Sequence, residues 1–153
     1  MASAFWTLED GRGMAKRWAL MSELLELITR ELKEIEGAEA FYDYLELLIF
    51  REENGDIYNG YGGFYRKDEC FTLDFDLRSF APKNRDYFWR ATQRALTRLK
   101  IENNPLRKGD ELLLTQLLDM HKRIKKGEDP MILNFYDIVE PDPQEKLGPG
   151  WEV

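Results

Sequence analysis

The spacing most suggestive of chemistry in this chain is Asp74 and Asp76. Two residues apart on a strand, they share one face. Paired carboxylates of that kind can hold Mg²⁺ or divide acid and base roles. Glu52, Glu53 and Asp56 could add oxygen ligands. A strand face bearing Asp74, Asp76 and Arg78 is more often a solvated one with local salt bridges. No Lys or His stands beside the pair, as a nuclease or phosphatase would need. His121 is the only histidine, which excludes a multi-histidine metal site. It falls on the apolar stripe of its helix and reads as a core or boundary histidine with satisfied ring nitrogens rather than a catalyst. Cys70 is the only cysteine, so no intramolecular disulfide forms. Its neighbours Asp68 and Glu69 disfavour a thiolate, although spacing leaves a Cys70–His121 pair open.

Two further patterns carry a bland and a sharp reading each. Gly60, Gly62 and Gly63 lack the Lys-Ser or Lys-Thr of a phosphate loop, and Tyr65 stands where the third glycine of a dinucleotide fingerprint would be. The cluster reads as a hairpin tip, or as a recognition loop in which Tyr58, Tyr61 and Tyr65 supply rigid amphipathic contacts. Arg90, Arg94 and Arg98 recur every four residues along one helix. Such a stripe can meet phosphates, but a solvated face or pairing with acidic helices is commoner.

The chain has 153 residues, 22 Lys+Arg and 29 Asp+Glu, for a net charge of −7. This length suits one domain over 1–153, with an irregular tail from about residue 140. A charged fraction of 33% and a hydrophobic fraction of 43% exclude disorder and fibres. The acidic balance argues against nucleic-acid binding, which needs Lys and Arg to neutralise phosphates. No run approaches the roughly 18 apolar residues of a membrane helix. Without a secretion signal, the expected compartment is the cytoplasm. Residues 1–50 carry −5, residues 51–100 carry +2 and residues 101–153 carry −4. The basic middle third either pairs with the acidic ends inside one fold or makes a dipolar surface for a partner.

The positioning elements follow from periodicity. Residues 4–8 and 14–20 flank a Gly-rich turn and predict a β-hairpin. Met21, Leu24, Leu25, Ile28, Leu32 and Ile35 predict a helix with Ser22 as its N-cap and Gly37 at its end. Phe41, Tyr44, Leu45 and Leu48 predict a second helix over 38–49. Asn54-Gly55 marks a turn. Residues 70–78 alternate, with Phe71, Leu73, Phe75 and Leu77 on the buried face and Asp74 and Asp76 on the wet one. A third helix over 84–100, with Asn84 as N-cap, buries Phe88, Trp89, Ala91, Ala95, Leu96 and Leu99. A fourth over 110–126 turns Leu114, Leu117, Leu118, His121 and Ile124 inward. Residues 131–139 make a last strand or extended segment. Strands cluster rather than alternate with helices. The expected fold is therefore α+β, a small antiparallel sheet with helices packed on one face.

Several segments also carry a resemblance: Phe5-Trp6-Thr7-Leu8-Glu9-Asp10-Gly11-Arg12, Leu73-Asp74-Phe75-Asp76-Leu77-Arg78, Asn84-Arg85 with Phe88-Trp89, Ala91 and Ala95, and Gly148-Pro149-Gly150-Trp151. Together they span nearly the whole chain. They resemble small acidic bacterial immunity proteins encoded beside polymorphic or contact-dependent toxins. The resemblance implies a non-enzymatic protein, without cofactor, whose partner is a cognate toxin protein. It carries over no binding residue. Many such toxins are nucleases with basic clefts, which an acidic inhibitor can reach quickly and occupy. Glu52, Glu53, Asp56, Asp74 and Asp76, with Tyr58 and Tyr61 as anchors, are the expected partner-binding set. The helical acids Glu23, Glu26, Glu34 and Glu36 match equally well in charge. The alternatives are a small metal-dependent hydrolase using Asp74 and Asp76, and an adaptor subunit.

Overall fold

The N-terminal hairpin pairs β1 (Ser3–Thr7) with β2 (Gly13–Arg17) in antiparallel register, Ser3 opposite Arg17 and Thr7 opposite Gly13. The turn closes with the Gly11 N–H donating to the Leu8 carbonyl at 2.9 Å, and Gly11 takes the left-handed φ of 89° that glycine adopts without a Cβ penalty. The computed structural model describes residues 3–11, 13–46, 51–53, 56–58 and 73–129. The glycine cluster at 60–63, Tyr61, Tyr65, Cys70, the expected segment 131–139 and the tail lie outside them.

β2 passes directly into α1 (Trp18–Leu32). The expected second strand is thus cut short at Arg17, and Ser22 lies inside the helix, buried, rather than capping it. Ala19, Leu20 and Met21 are good helix formers, and the apolar stripe begins with them. Met21, Leu24, Leu25, Ile28 and Leu32 are all buried, as their spacing requires. The chain then turns through Gly37, whose φ is +90°, into α2 (Glu39–Glu46), which buries Phe41 and Leu45. β3 (Arg51–Glu53) and β4 (Asp56–Tyr58) form a second antiparallel hairpin across residues 54–55, where Asn54-Gly55 predicts the turn.

The third sheet strand, β5 (Leu73–Asp76), corrects the expected topology. It pairs with β1 in parallel, Ala4 beside Leu73 and Thr7 beside Asp76, so the sheet order is β2-β1-β5 and the sheet is mixed. The fold is α+β, but only the β1–β2 ladder of this sheet is antiparallel. A hairpin reverses direction, whereas the long excursion through α1 and α2 returns the chain to the sheet running the same way as β1. Alternation along a strand reports its faces and says nothing about the direction of its partner.

The expected strand over 70–78 also stops early. Leu77–Ser79 is a single 3₁₀ turn, and the Asp76 carboxylate caps it by accepting the Arg78 backbone N–H at 2.9 Å. Phe75 and Leu77 are buried as expected, but Asp76 is only 6% exposed, so it does not lie on the wet face that the alternation predicts for it.

α3 (Pro82–Glu102) starts two residues before the expected cap. Pro82 occupies the first turn, where its missing N–H costs nothing. Asn103 ends the helix in a left-handed conformation, its N–H donating to the Leu99 carbonyl at 3.0 Å. A 3₁₀ turn over Pro105–Arg107 leads into α4 (Lys108–Lys125). All six predicted core residues of α3 are buried, with Tyr87 and Thr92 beside them. Trp6 and Phe75, cross-strand neighbours, meet at 5.2 Å between ring centroids and both pack on Phe88 of α3, at 5.9 and 5.4 Å. Phe80 links this group to Phe41 of α2, at 5.3 Å from Phe75 and 5.2 Å from Phe41. An aromatic core thus joins the sheet to two helices.

Candidate functional site

The expected partner-binding residues fall on two separate sheets. Glu52 and Glu53 lie on β3, and Asp56 and Tyr58 on β4, with Glu53 opposite Asp56. One short ribbon therefore carries four of the seven. Tyr61 lies outside the described residues. Asp74 and Asp76 lie on β5, in register with Phe5 and Thr7. Asp76 is engaged on every side. Besides capping the 3₁₀ turn, it receives the Arg78 guanidinium in a fork, Nε to Oδ1 at 2.9 Å and Nη2 to Oδ2 at 2.5 Å. A carboxylate held this way closes a local turn, and its lone pairs are taken.

The basic stripe of α3 meets α1. Glu31 is buried, and its carboxylate accepts from Arg94 Nε at 3.3 Å, from Arg98 Nη2 at 3.3 Å and from Arg98 Nε. Arg90 stands 3.9 Å from Asp86 on its own helix. Pairing with the acidic first helix is thus what Arg94 and Arg98 do. The sequence did hold a signal for this. Glu31 lies between Ile28 and Leu32 on the apolar stripe of α1, where a charge requires a partner.

Of the helical acids, two are paired. Glu26 accepts from Arg30 at 3.1 Å, an i,i+4 pair. Glu23 accepts from Arg107, which also donates to the buried Asp110 at 3.0 Å. Burial, then the charge of Asp110, raises the Glu23 pKa despite Arg107. Glu34, Glu36, Glu39 and Asp43 are instead exposed around the corner between α1 and α2. Near them, Lys33 sits over the Tyr42 ring at 5.1 Å, and Glu39 Oε1 accepts from the Gly37 N–H at 3.4 Å.

One more cluster joins three distant segments. The Trp89 indole N–H of α3 donates to Glu9 Oε1 in the β1–β2 turn. The His121 ring of α4 stacks on Trp89, with centroids 3.9 Å apart and planes 15° apart. Its Nδ1 is 3.1 Å from the same Glu9 oxygen, within ion-pair range but outside hydrogen-bond alignment, so the contact is chiefly electrostatic. Glu9 Oε2 is buried without a partner. Burial pushes the Glu9 pKa up. The approach of His121, the backbone N–H of Glu9 and the Trp89 indole outweigh it, and the net shift is down. His121 is thus a boundary histidine, as its place on the stripe predicts, but its Nδ1 is buried without an aligned hydrogen bond, so the expected satisfied ring nitrogens are not found. Glu9 and Trp89 as its companions had no signal in the sequence, since local spacing does not report contacts across 80 residues.

Comparison with protein-family models, with curated proteins and with solved structures finds no match to this chain.

The chemistry must therefore be read from the arrangement itself. Among the described residues, no group of three or more His, Cys, Asp or Glu is placed to hold a metal ion. No helix of the described residues is long and apolar enough to cross a membrane. The buried carboxylates are paired: Glu31 of α1 with Arg94 and Arg98 of α3, and Asp110 of α4 with Arg107, which also reaches Glu23 of α1. Glu34, Glu36, Glu39 and Asp43 are exposed where α1 turns into α2, and the β3–β4 ribbon carries four of the expected contact residues, with Glu53 opposite Asp56, Glu52 opposite Ile57 and Tyr58 opposite Arg51.

Proposed function

We propose that the chain is a non-enzymatic binding protein that neutralises a cognate bacterial toxin domain in the cytoplasm by covering a basic surface on it. The distribution of charge carries the reading. Arg94 and Arg98 are paired with the buried Glu31, while Glu34, Glu36, Glu39 and Asp43 are exposed. An acidic face of this kind speeds encounter with a basic partner and selects against wrong ones. Glu52, Glu53, Asp56 and Tyr58 offer a second acidic edge with an aromatic anchor on one hairpin. The resemblance to immunity proteins supports the same class of partner. Catalysis at Asp74 and Asp76 is the weaker reading, because Asp76 is already neutralised by a forked arginine.

Co-expression with the protein encoded beside it tests the proposal. A one-to-one complex that protects cells, and an association rate that falls with salt, is the expected result. Charge reversal at Glu34, Glu36, Glu39 and Asp43 slows association if that corner is the contact; reversal at Glu52, Glu53 and Asp56 slows it if the ribbon is. Absence of both complex and protection overturns the proposal.

A further inference from the structure

We propose that the joint between α3 and α4 is a docking surface for a second copy of this chain, built on Ile101, Leu106 and Leu112. These are the exposed large hydrophobic side chains among the described residues, at 79%, 90% and 52% exposure. Single exposed leucines are ordinary, whereas three gathered at one joint mark an interaction site. The leucines that pack these helices, Leu96, Leu99, Leu113, Leu114 and Leu117, are buried. Ile101 and Leu112 are therefore apolar side chains in excess of what the internal stripes use. Leu106 is presented on a fixed turn. The Asn104 side chain accepts the Leu106 N–H at 3.0 Å, and the Arg107 N–H donates to the Asn104 carbonyl at 3.0 Å. Lys108 Nζ donates to Asn103 Oδ1 at 2.7 Å and to Glu111 Oε2 at 3.3 Å. A turn tied in this way loses little freedom when its leucine is covered, which is the condition for an anchor.

The charge at this joint selects the occupant. Residues 100–112 hold Lys100, Arg107 and Lys108 against Glu102, Asp110 and Glu111, a net charge of zero in a chain of −7. A basic partner is drawn to the acidic surfaces elsewhere, and two copies that meet through those surfaces repel each other. At the joint they do not. A two-fold contact also needs a self-complementary patch. Lys100 and Glu102, both exposed, flank Ile101 with opposite signs. With Ile101 near the two-fold axis, Lys100 of one copy faces Glu102 of the other. Three apolar side chains are fewer than a permanent dimer buries, so the assembly is a reversible one. It leaves the acidic corner clear. Glu23 of α1 meets Arg107 at the joint, Glu31 is about 12 Å further along the α1 axis, and Glu34, Glu36, Glu39 and Asp43 follow it in the chain.

Sedimentation velocity of the full chain between about 2 and about 200 µM tests this, a range that spans the constants of reversible dimers. The mean mass is expected to rise from 18.1 kDa toward twice that value. Leu106→Ser removes an anchor that a two-fold contact uses twice, and is expected to weaken the dimer about a hundredfold or more. Because this side chain is exposed, the fold is not at stake, and circular dichroism at dilution should match wild type. Lys100→Glu and Glu102→Lys should each weaken the dimer about threefold, and the two together should restore it. A chain that stays monomeric at the highest concentration overturns the proposal and leaves the joint to a different protein. A dimer as tight in Leu106→Ser as in wild type, or a double exchange weaker than either single one, also overturns it.

Discussion

Two buried threonines offer a paired test of how hydrogen bonding governs stability here. Thr29 of α1 and Thr92 of α3 are both 0% exposed. The Thr92 hydroxyl donates to the Phe88 carbonyl at 2.7 Å, while the Thr29 hydroxyl has no protein partner. Valine keeps the β-branch and nearly the volume, and its helix propensity matches that of threonine. At position 29 the change removes an unsatisfied hydroxyl, worth about 1–3 kcal/mol. The methyl that replaces it adds about 0.8 kcal/mol of burial. At position 92 the same methyl gain is set against a lost hydrogen bond of about 1 kcal/mol, so the net is near zero. Thr29→Val should therefore be the more stable of the two by about 2–4 kcal/mol, a melting difference of the order of 10 °C. Urea unfolding with an unchanged slope gives the free energies. If Thr29→Val is no more stable than Thr92→Val, the Thr29 hydroxyl is bonded in the folded chain and the reasoning fails.

Other perturbations follow from the same geometry. Gly37→Ala must place a Cβ 2.6 Å from the Tyr87 hydroxyl oxygen at a φ of +90°, and should cost about 1–3 kcal/mol in urea unfolding. Adding Tyr87→Phe should recover the steric part and leave a backbone cost of about 1 kcal/mol. Phe88→Ala, which removes the ring that meets Trp6, Phe75 and Trp89, should lose about 3–5 kcal/mol by the same assay. The lowered pKa of Glu9 means that its stabilisation is complete above its ordinary value of 4.5 and is lost as pH falls through the lower folded value. Below pH 4.5 the advantage of wild type over Glu9→Gln should therefore shrink with acidification, as read from unfolding free energies across a pH series. Leu106→Ser, at a side chain 90% exposed, should change stability by less than about 0.5 kcal/mol.

What could be read before folding was what repeats locally. The stripes of α1 and α3 were legible because a helix returns the same face every 3.6 residues, and Met21, Ile28, Phe88 and Leu99 are buried accordingly. The alternation around Phe75 was legible for the corresponding reason at period two. Element ends were less so. Ser22 and Asn84 are plausible caps, yet the helices begin at Trp18 and Pro82, because good helix formers and a first-turn proline also start helices. Of the expected contact residues, the placing of Glu52, Glu53, Asp56 and Tyr58 on one ribbon follows from the turn that Asn54-Gly55 predicts. The burial of Asp76 does not follow, since alternation placed it on the wet face.

The amino-acid sequence by itself determined the four helices, the first hairpin, the aromatic content of the core and the acidic excess. Each depends on residues within a few positions of one another. Only the tertiary structure decided that β5 runs parallel to β1, that Arg94 and Arg98 converge on Glu31, and that Glu9, Trp89 and His121 meet. Those contacts join side chains far apart along the chain. Their energy is gained only after the core of Trp6, Phe75 and Phe88 has brought sheet and helices together, so no local pattern encodes them.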